Sequence, residues 1–492
     1  MSNSSRRDWL KSAGLYSLAA TSAGRLPAND RSEEAKTVLD IGSRRELFVD
    51  HFLIDRLEGT RLELHHPQLA EGAFKLDRPW EGVYCGYTTV FQDEDRYRMY
   101  YLGYPVDPPG NYTCYAESTD GIEWTRPDLG LVEFQGSKSN NILLAGLPEC
   151  HNFSPFLDAK PGVSEAERYK AVGGLPPKGL MAYSSPDGVH WKKMQEQGII
   201  TQGAFDSHNV AFYSESEGCY VCYFRTFRNG IRWVDRCTSD DFLNWTEPVT
   251  MDFGDAPPEH LYTNSTTPYF RAPHISIALP SRFMAGKDAV SQEMKDELGV
   301  EGGYLPPGSG FNDMPLMTSR GGNRYQRTFL ETFIEPGIGY ENWTSRSCYP
   351  AFGIVPTPDS DTQLSMYVNR HTGYPSAHLA RYTLRYDGFV SVHAPFAGGE
   401  LVTKPLTFEG DRLSINDKTS APGAVRVEIQ NAAGQPIPGF TLADSAEIIG
   451  DELDRTVSWA NGSDVSRLAG RPVRLRFVMK AADLYALQFG NR

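Results

Sequence analysis

The feature that most limits what this chain can become is a turn that recurs between apolar strands. Ser118-Thr-Asp-Gly-Ile-Glu-Trp124 is followed by Ser185-Pro-Asp-Gly-Val-His-Trp191 and Ser239-Asp-Asp-Phe-Leu-Asn-Trp245. Ser319-Arg-Gly-Gly-Asn-Arg-Tyr325 is a looser copy, and Tyr386-Asp-Gly-Phe389 a degenerate fifth. In the first four, a serine stands six residues before an aromatic. Asp-Gly is a hairpin signal, and Ser and Asp side chains bond the backbone of their own turn. The aromatic ring is then free to pack between neighbouring units. One such hairpin cannot bury both its faces, so a repeated one stacks into an array, which points to a β-propeller.

Composition agrees with an all-β chain. Aromatic residues reach 12%, with 25 Tyr and 25 Phe, and suit both strand packing and ring-stacking surfaces. The length of 492 residues exceeds one ordinary domain. A net charge of −14 repels polyanions, so no nucleic-acid partner is expected. Seven cysteines are too few for a disulfide scaffold. Cys219 and Cys222 form a C-x-x-C within a strand, where residues three apart face opposite sides and share no metal. No run is long and apolar enough to span a bilayer.

The start, Ser5-Arg6-Arg7-Asp8-Trp9-Leu10-Lys11, resembles a twin-arginine export signal. Residues 1–27 are therefore read as a signal peptide and 28–45 as a flexible leader, which predicts a periplasmic or extracellular protein. Residues 46–395 read as a five-bladed β-propeller, with units near 81–130, 150–197, 205–250, 260–345 and 348–395. Strands at Glu46–Arg56 and Arg61–His65 are expected to complete the last unit and close the ring. The fourth unit carries a helix-like insert, Asp288–Leu298, placed to form a rim or lid. Short strands and turns over 396–492 predict a β-sandwich.

A propeller builds its site where strand mouths meet its axis. Phe205-Asp206-Ser207-His208-Asn209 sets a carboxylate, an imidazole and an amide before the strand Val210–Phe212. His151-Asn152 stands in the same way before Phe153–Leu157, and Trp80-Glu81 before Gly86–Phe91. Two histidines at matching positions can bind a metal, orient a carboxylate or bond sugar hydroxyls. Glycoside hydrolysis needs two carboxyl groups flanking one bond. Asp206, Glu81 and Glu331 are the candidates for them, with Glu335 close to the last. Asn264 occupies a comparable place in the fourth unit. Arg225, Arg346 and His371 are further candidates, the arginines suited to clamping a carboxylate or sulfate on the substrate.

This organisation resembles the five-bladed propeller superfamily of invertases, levansucrases and arabinanases, glycoside hydrolase families 32, 43, 62 and 68, over roughly residues 45–395. A sandwich after the propeller is similar to family 32. Glu149-Cys150 matches that family's short general-acid motif, whereas its Asn-Asp-Pro pattern is missing from the first unit and Arg-Asp-Pro from the whole chain. The resemblance implies an exported glycoside hydrolase acting on a plant or algal polysaccharide or its oligosaccharides. Asp206, Glu81 and Glu331 would be catalytic, and His208, Asn209, His151, Asn152, Trp80, Asn264, Arg225, Arg346 and His371 substrate-binding. No cofactor is called for, and a structural or axial ion such as calcium would find room. The competing readings are a non-catalytic carbohydrate-binding propeller, a sialidase-like enzyme suggested by the Asp-box-like turns, and metal-dependent chemistry through His151 and His208.

Overall fold

The computed structural model describes residues 38–300, 305–357 and 360–491. The twin-arginine-like start and residues 28–37 of the expected leader lie outside the described residues, and the rest of that leader departs from expectation: Leu39–Gly42 is a strand paired with Leu406–Phe408. The chain is all-β, built from small sheets and one large one. No helix of the described residues is long and apolar enough to cross a membrane.

The small sheets follow one another along the chain. The first is an antiparallel meander of Gly86–Asp93, Arg96–Gly103, Tyr112–Ser118 and Ile142–Ala145. The second runs Ser154–Leu157, Tyr169–Gly173, Met181–Ser185 and Lys192–Lys193. The third runs Val210–Ser214, Cys219–Arg228, Ile231–Ser239 and Val249–Thr250. The fourth unit divides into two three-stranded sheets, between Thr267 and Ile334. Its insert holds the helix Gln292–Glu297, capped by the Ser291 side chain. The fifth unit centres on Ser360–Arg370 and His378–Arg385.

The recurring turn has one geometry in three copies. The Ser118 hydroxyl accepts from the Gly121 amide at 2.8 Å, and Asp120 accepts from the Ile122 and Glu123 amides, both at 2.8 Å. Ser185 with Asp187, and Ser239 with Asp241, repeat the set. The fourth position needs a left-handed backbone, which Gly121 and Gly188 adopt readily and Phe242 adopts at φ 69°. The turns also join sheets: the Tyr100 hydroxyl of the first sheet donates to the Gly188 carbonyl of the second at 2.9 Å.

Hydrogen bonds near the first strand of each sheet link the units in sequence and return to the start. Thr89 meets Ser154 at 3.5 Å. The Asn152 amide donates to the Phe205 and Ser207 carbonyls at 2.6 and 3.1 Å, and the Ser207 hydroxyl to the Tyr262 carbonyl at 2.6 Å. Ser265 donates to Pro350 at 3.3 Å. The circuit ends where the Val90 amide donates to the Phe352 carbonyl and the Phe352 amide to Thr88, both at 2.8 Å. At one end of this arrangement an apolar space of 340 Å³ is lined by Phe91, Phe156, Phe212, Phe270 and Phe352, one from each unit in turn.

The ten-stranded sheet draws on both ends of the described chain. Its long strands Arg412–Asn431 and Val473–Gly490 pair antiparallel, and alternate residues such as Leu413, Ile415, Val425, Val427, Leu475 and Phe477 are buried in its core. The early strands depart from expectation. Arg45–Leu47, Ile54–Glu58 and Arg61–Leu64 join this large sheet, because Phe48, Leu53 and Ile54 bury in its core. The edge of the fifth unit is taken instead by Gln68–Leu69 and Phe74–Lys75, paired with His378–Arg385. The seven cysteines form no disulfide, and Cys222 lies opposite Cys237 in the strand register.

Gly353 marks how tightly the circuit closes. A Cβ there would stand 1.8 Å from the Val90 carbonyl oxygen, at a φ of 122°. Backbone cannot yield to that overlap, so Gly353→Ala should cost at least ~3 kcal/mol and lower the thermal midpoint by several degrees, as read by calorimetry.

Candidate active site

Beside the ring-closing strands lies a cavity of 230 Å³, lined by residues that include Tyr84, Tyr87, Asn111, His151, Arg346 and Tyr349. Tyr87 opens the first strand of the first sheet, and Tyr349 opens the fifth unit. Their rings stack at 6.2 Å and 24°. Tyr262, from the fourth unit, packs on Tyr349 at 5.3 Å. Tyr87 has φ 46° and Arg346 φ 69°. Two bulky residues held left-handed on one cavity are a local cost that only surrounding structure sustains.

Asp206 is joined to this cavity through His151 of its wall. His151 Nε2 bonds its Oδ1 at 2.9 Å, and an Arg225 nitrogen stands 3.9 Å from its Oδ2. The His151 hydrogen bond, aided by the charges of His151, Arg225 and Arg346, holds the Asp206 carboxyl below the usual range despite partial burial. Asp206 is therefore an ionised base here, and half of its side chain or more meets solvent (60%). Burial, more than the neighbouring phenols, pushes Tyr87 and Tyr349 well above the ordinary phenol value, while Arg346 and Arg225 pull the other way. Both phenols stay protonated and present donors.

His208 lies deeper, against Thr89 at 3.3 Å and the Tyr87 ring at 5.8 Å. Burial pushes its imidazole down to about 3, so it is neutral, and its Nδ1 has no partner. His151 packs on the same Tyr87 ring at 5.4 Å. Among the described residues no group of three or more His, Cys, Asp or Glu is placed to hold a metal ion.

The other expected residues serve the framework. Glu81 is fully buried, accepting from the Tyr101 hydroxyl at 2.6 Å, from Arg126 Nε at 2.6 Å and from the Arg78 amide at 3.0 Å. Its carboxylate is enclosed and does not meet Asp206. Glu331 is exposed, bonds its neighbour's amide and is not among the cavity's lining residues. Trp80 donates to Asn141 at 2.7 Å and packs on Phe134. Asn152 and Asn209 tie the Phe205–Ser207 carbonyls, and Asn264 caps Thr266. His371 bonds Ser376 and faces His378 at 4.9 Å. Glu149 of the Glu-Cys pair is buried against Lys193 at 3.0 Å.

Sequence reasoning missed Tyr87, Tyr262, Tyr349 and Arg232. For Arg232 a signal existed: strand register sets it opposite Phe227, which shares a strand face with Arg225. The tyrosines stand among 25 and carry no local mark.

No protein-family model matches the chain, and no curated protein matches it. Among solved structures it is similar to an N-acetylgalactosamine deacetylase from F. plautii in complex with blood group B trisaccharide (12% identity, 67% of this chain and 96% of that one, TM-score 0.43). It is similar also to a glycoside hydrolase (10%, 73% and 96%, TM-score 0.40). A third is a structure from the family-130 mannoside phosphorylases, which contains glycoside hydrolases that target β-1,2 mannosidic linkages in Candida mannan (14%, 65% and 94%, TM-score 0.37). Similarity at this level assigns neither activity nor substrate.

If Glu81 belongs to the framework, Glu81→Gln leaves the Arg126 guanidinium buried without its counter-charge. It should destabilise the protein by about 3–5 kcal/mol in denaturant titration, with activity lost only in step with folding. A stable, inactive Glu81→Gln protein would return this residue to the catalytic set.

Proposed function

We propose that the chain is a five-bladed β-propeller followed by a β-sandwich, exported by the twin-arginine route, whose cavity cleaves glycosidic bonds of a plant or algal poly- or oligosaccharide. The circuit of hydrogen bonds through successive small sheets supports the propeller, and the layered large sheet supports the sandwich. The twin-arginine-like start supports export. The observation that carries the enzymatic reading is the Asp206–His151 bond beside a cavity whose wall holds His151 and two buried, protonated phenols.

The chemistry follows from the protonation states. Asp206, ionised and oriented by His151, takes a proton from water as the water oxygen bonds the anomeric carbon. The bond from that carbon to the leaving oxygen breaks, and its electron pair takes a proton from the Tyr87 phenol. Arg346 stabilises the phenolate formed. This departs from the two-carboxylate scheme, since Glu81 and Glu331 do not join Asp206. The lone carboxylate also favours a second reading, a propeller that binds sugar without cleaving it.

Asp206→Asn decides between them. The hydrolase reading expects turnover of a responsive polysaccharide, measured as reducing ends, to fall by about 10²–10⁴-fold with the thermal midpoint unchanged. Sugar binding with no turnover by the unsubstituted protein would leave the binding reading. His151→Phe removes the donor that lowers Asp206. Its carboxyl should rise toward the ordinary value near 4, moving the acid limb of the pH–rate profile to higher pH. An unmoved limb would contradict the pair's role.

A further inference from the structure

Several half-buried arginines of this protein have carboxylate partners, while the buried Arg370 and Arg381 are held by carbonyl and hydroxyl oxygens instead. Arg126 is matched by Glu81 at 2.6 Å, Arg98 by Asp93 at 2.7 Å and Arg320 by Glu46 at 2.6 Å and Asp50 at 3.0 Å. Around the cavity the balance differs. Arg225 is 7% exposed, and its nearest carboxylate is Asp206 at 3.9 Å, beyond hydrogen-bonding distance. Its Nε donates to the Ala204 carbonyl at 3.0 Å. Arg232 has no carboxylate within salt-bridge distance among the described residues, and its Nε is buried without a partner. The guanidinium of Arg225 stands 4.8 Å from the Tyr262 ring centre, and that of Arg232 stands 4.9 Å from it. Arg232 also lies 4.8 Å from the Phe283 ring. Among the described residues Arg225 and Arg232 thus share one nearby carboxylate, Asp206, in a protein whose net charge is −14.

Leaving cations half-matched in a partly dry site costs several kcal/mol per ion unless something offsets it. Stacking on Tyr262 offsets part, about 0.5–2 kcal/mol per pair. Burial and the Arg225 charge pull the Arg232 guanidinium below its ordinary value, the behaviour of a cation short of a counter-charge. A second group points the same way: the Tyr349 hydroxyl, on a residue 3% exposed in the cavity wall, has no hydrogen-bond partner. An oxyanion in the cavity would accept from it and from the guanidinium groups together.

Resting on the reading of this cavity as a sugar site, we infer that the sugar it takes carries an anionic substituent, a uronate carboxylate or a sulfate ester, held by Arg225 and Arg232 with Tyr349. Forked guanidinium donors match the spacing of carboxylate and sulfate oxygens.

The test is calorimetric binding by the full chain carrying Asp206→Asn, which prevents turnover. Ligands are hexuronate oligosaccharides, sulfated galactan oligosaccharides and neutral counterparts of equal length, at low and high salt. One anionic series should bind at least ~10-fold more tightly than its neutral counterpart, with an advantage that shrinks as salt rises. Preference for hexuronates assigns a carboxylate, and preference for sulfated galactans assigns a sulfate ester. Adding Arg232→Met, which keeps the stem over Tyr262, should abolish the advantage, and Arg232→Lys should keep part of it. Equal binding of neutral and anionic series, insensitive to Arg232→Met, overturns the anionic substituent while the sugar site stands. Binding of neither series overturns the sugar site and this inference with it.

Discussion

Everything in the site depends on the seam where the first and fifth units meet. The Val90 and Phe352 amides make reciprocal backbone bonds across it, and Gly353 lets the chains approach until no side chain fits between them. The Asn369 side chain adds a bond to the Cys85 carbonyl at 3.0 Å. Tyr87 is three residues from Val90, and Tyr349 three from Phe352. The seam therefore brings two phenols from opposite ends of the ring into stacking contact. Each has its own local reason to be there, but only closure makes them neighbours.

The cavity's electrostatics follow from that placement. Phenols buried against one another stay protonated, and guanidinium groups stacked on Tyr262 keep their charge close to them. Asp206, more exposed, stays ionised because His151 and the arginines favour its charged form. One site thus holds a base and protonated donors at the same pH, set by burial on one side and pairing on the other. The left-handed backbones of Tyr87 and Arg346 belong to the same picture, since such strain persists where neighbours fix a side chain in place.

What was legible in the sequence was local. The Ser-x-Asp turn announces itself because every bond it makes falls within five residues, and its third copy survives even with Phe242 in the glycine position. The cluster at Asp206 was legible because a carboxylate before an apolar strand sits at a strand mouth. Glu81 has the same local signature, but Arg126 lies 45 residues away and claims it within the core. Glu331 depended on a strand that begins only at Thr332, leaving it outside. The early strands near Ile54 were read as strands, but their partners lie more than 300 residues on, which no local pattern reports. Tyr262, Tyr349 and Arg232 act through contacts between units, and their neighbours exist only once the ring has closed.

The most direct test of the His151–Tyr349 cavity as the functional site is hydrogen exchange of the whole protein with and without a pooled digest of plant and algal oligosaccharides. Slowed exchange is expected in peptides spanning Tyr84–Tyr87, His151, Phe205–Asn209 and Arg346–Tyr349, where bound sugar would hold the cavity wall. Protection confined to the ten-stranded sheet, for example over Gly399–Thr403 and Val473–Gly490, would contradict it and move the sugar site to that sheet.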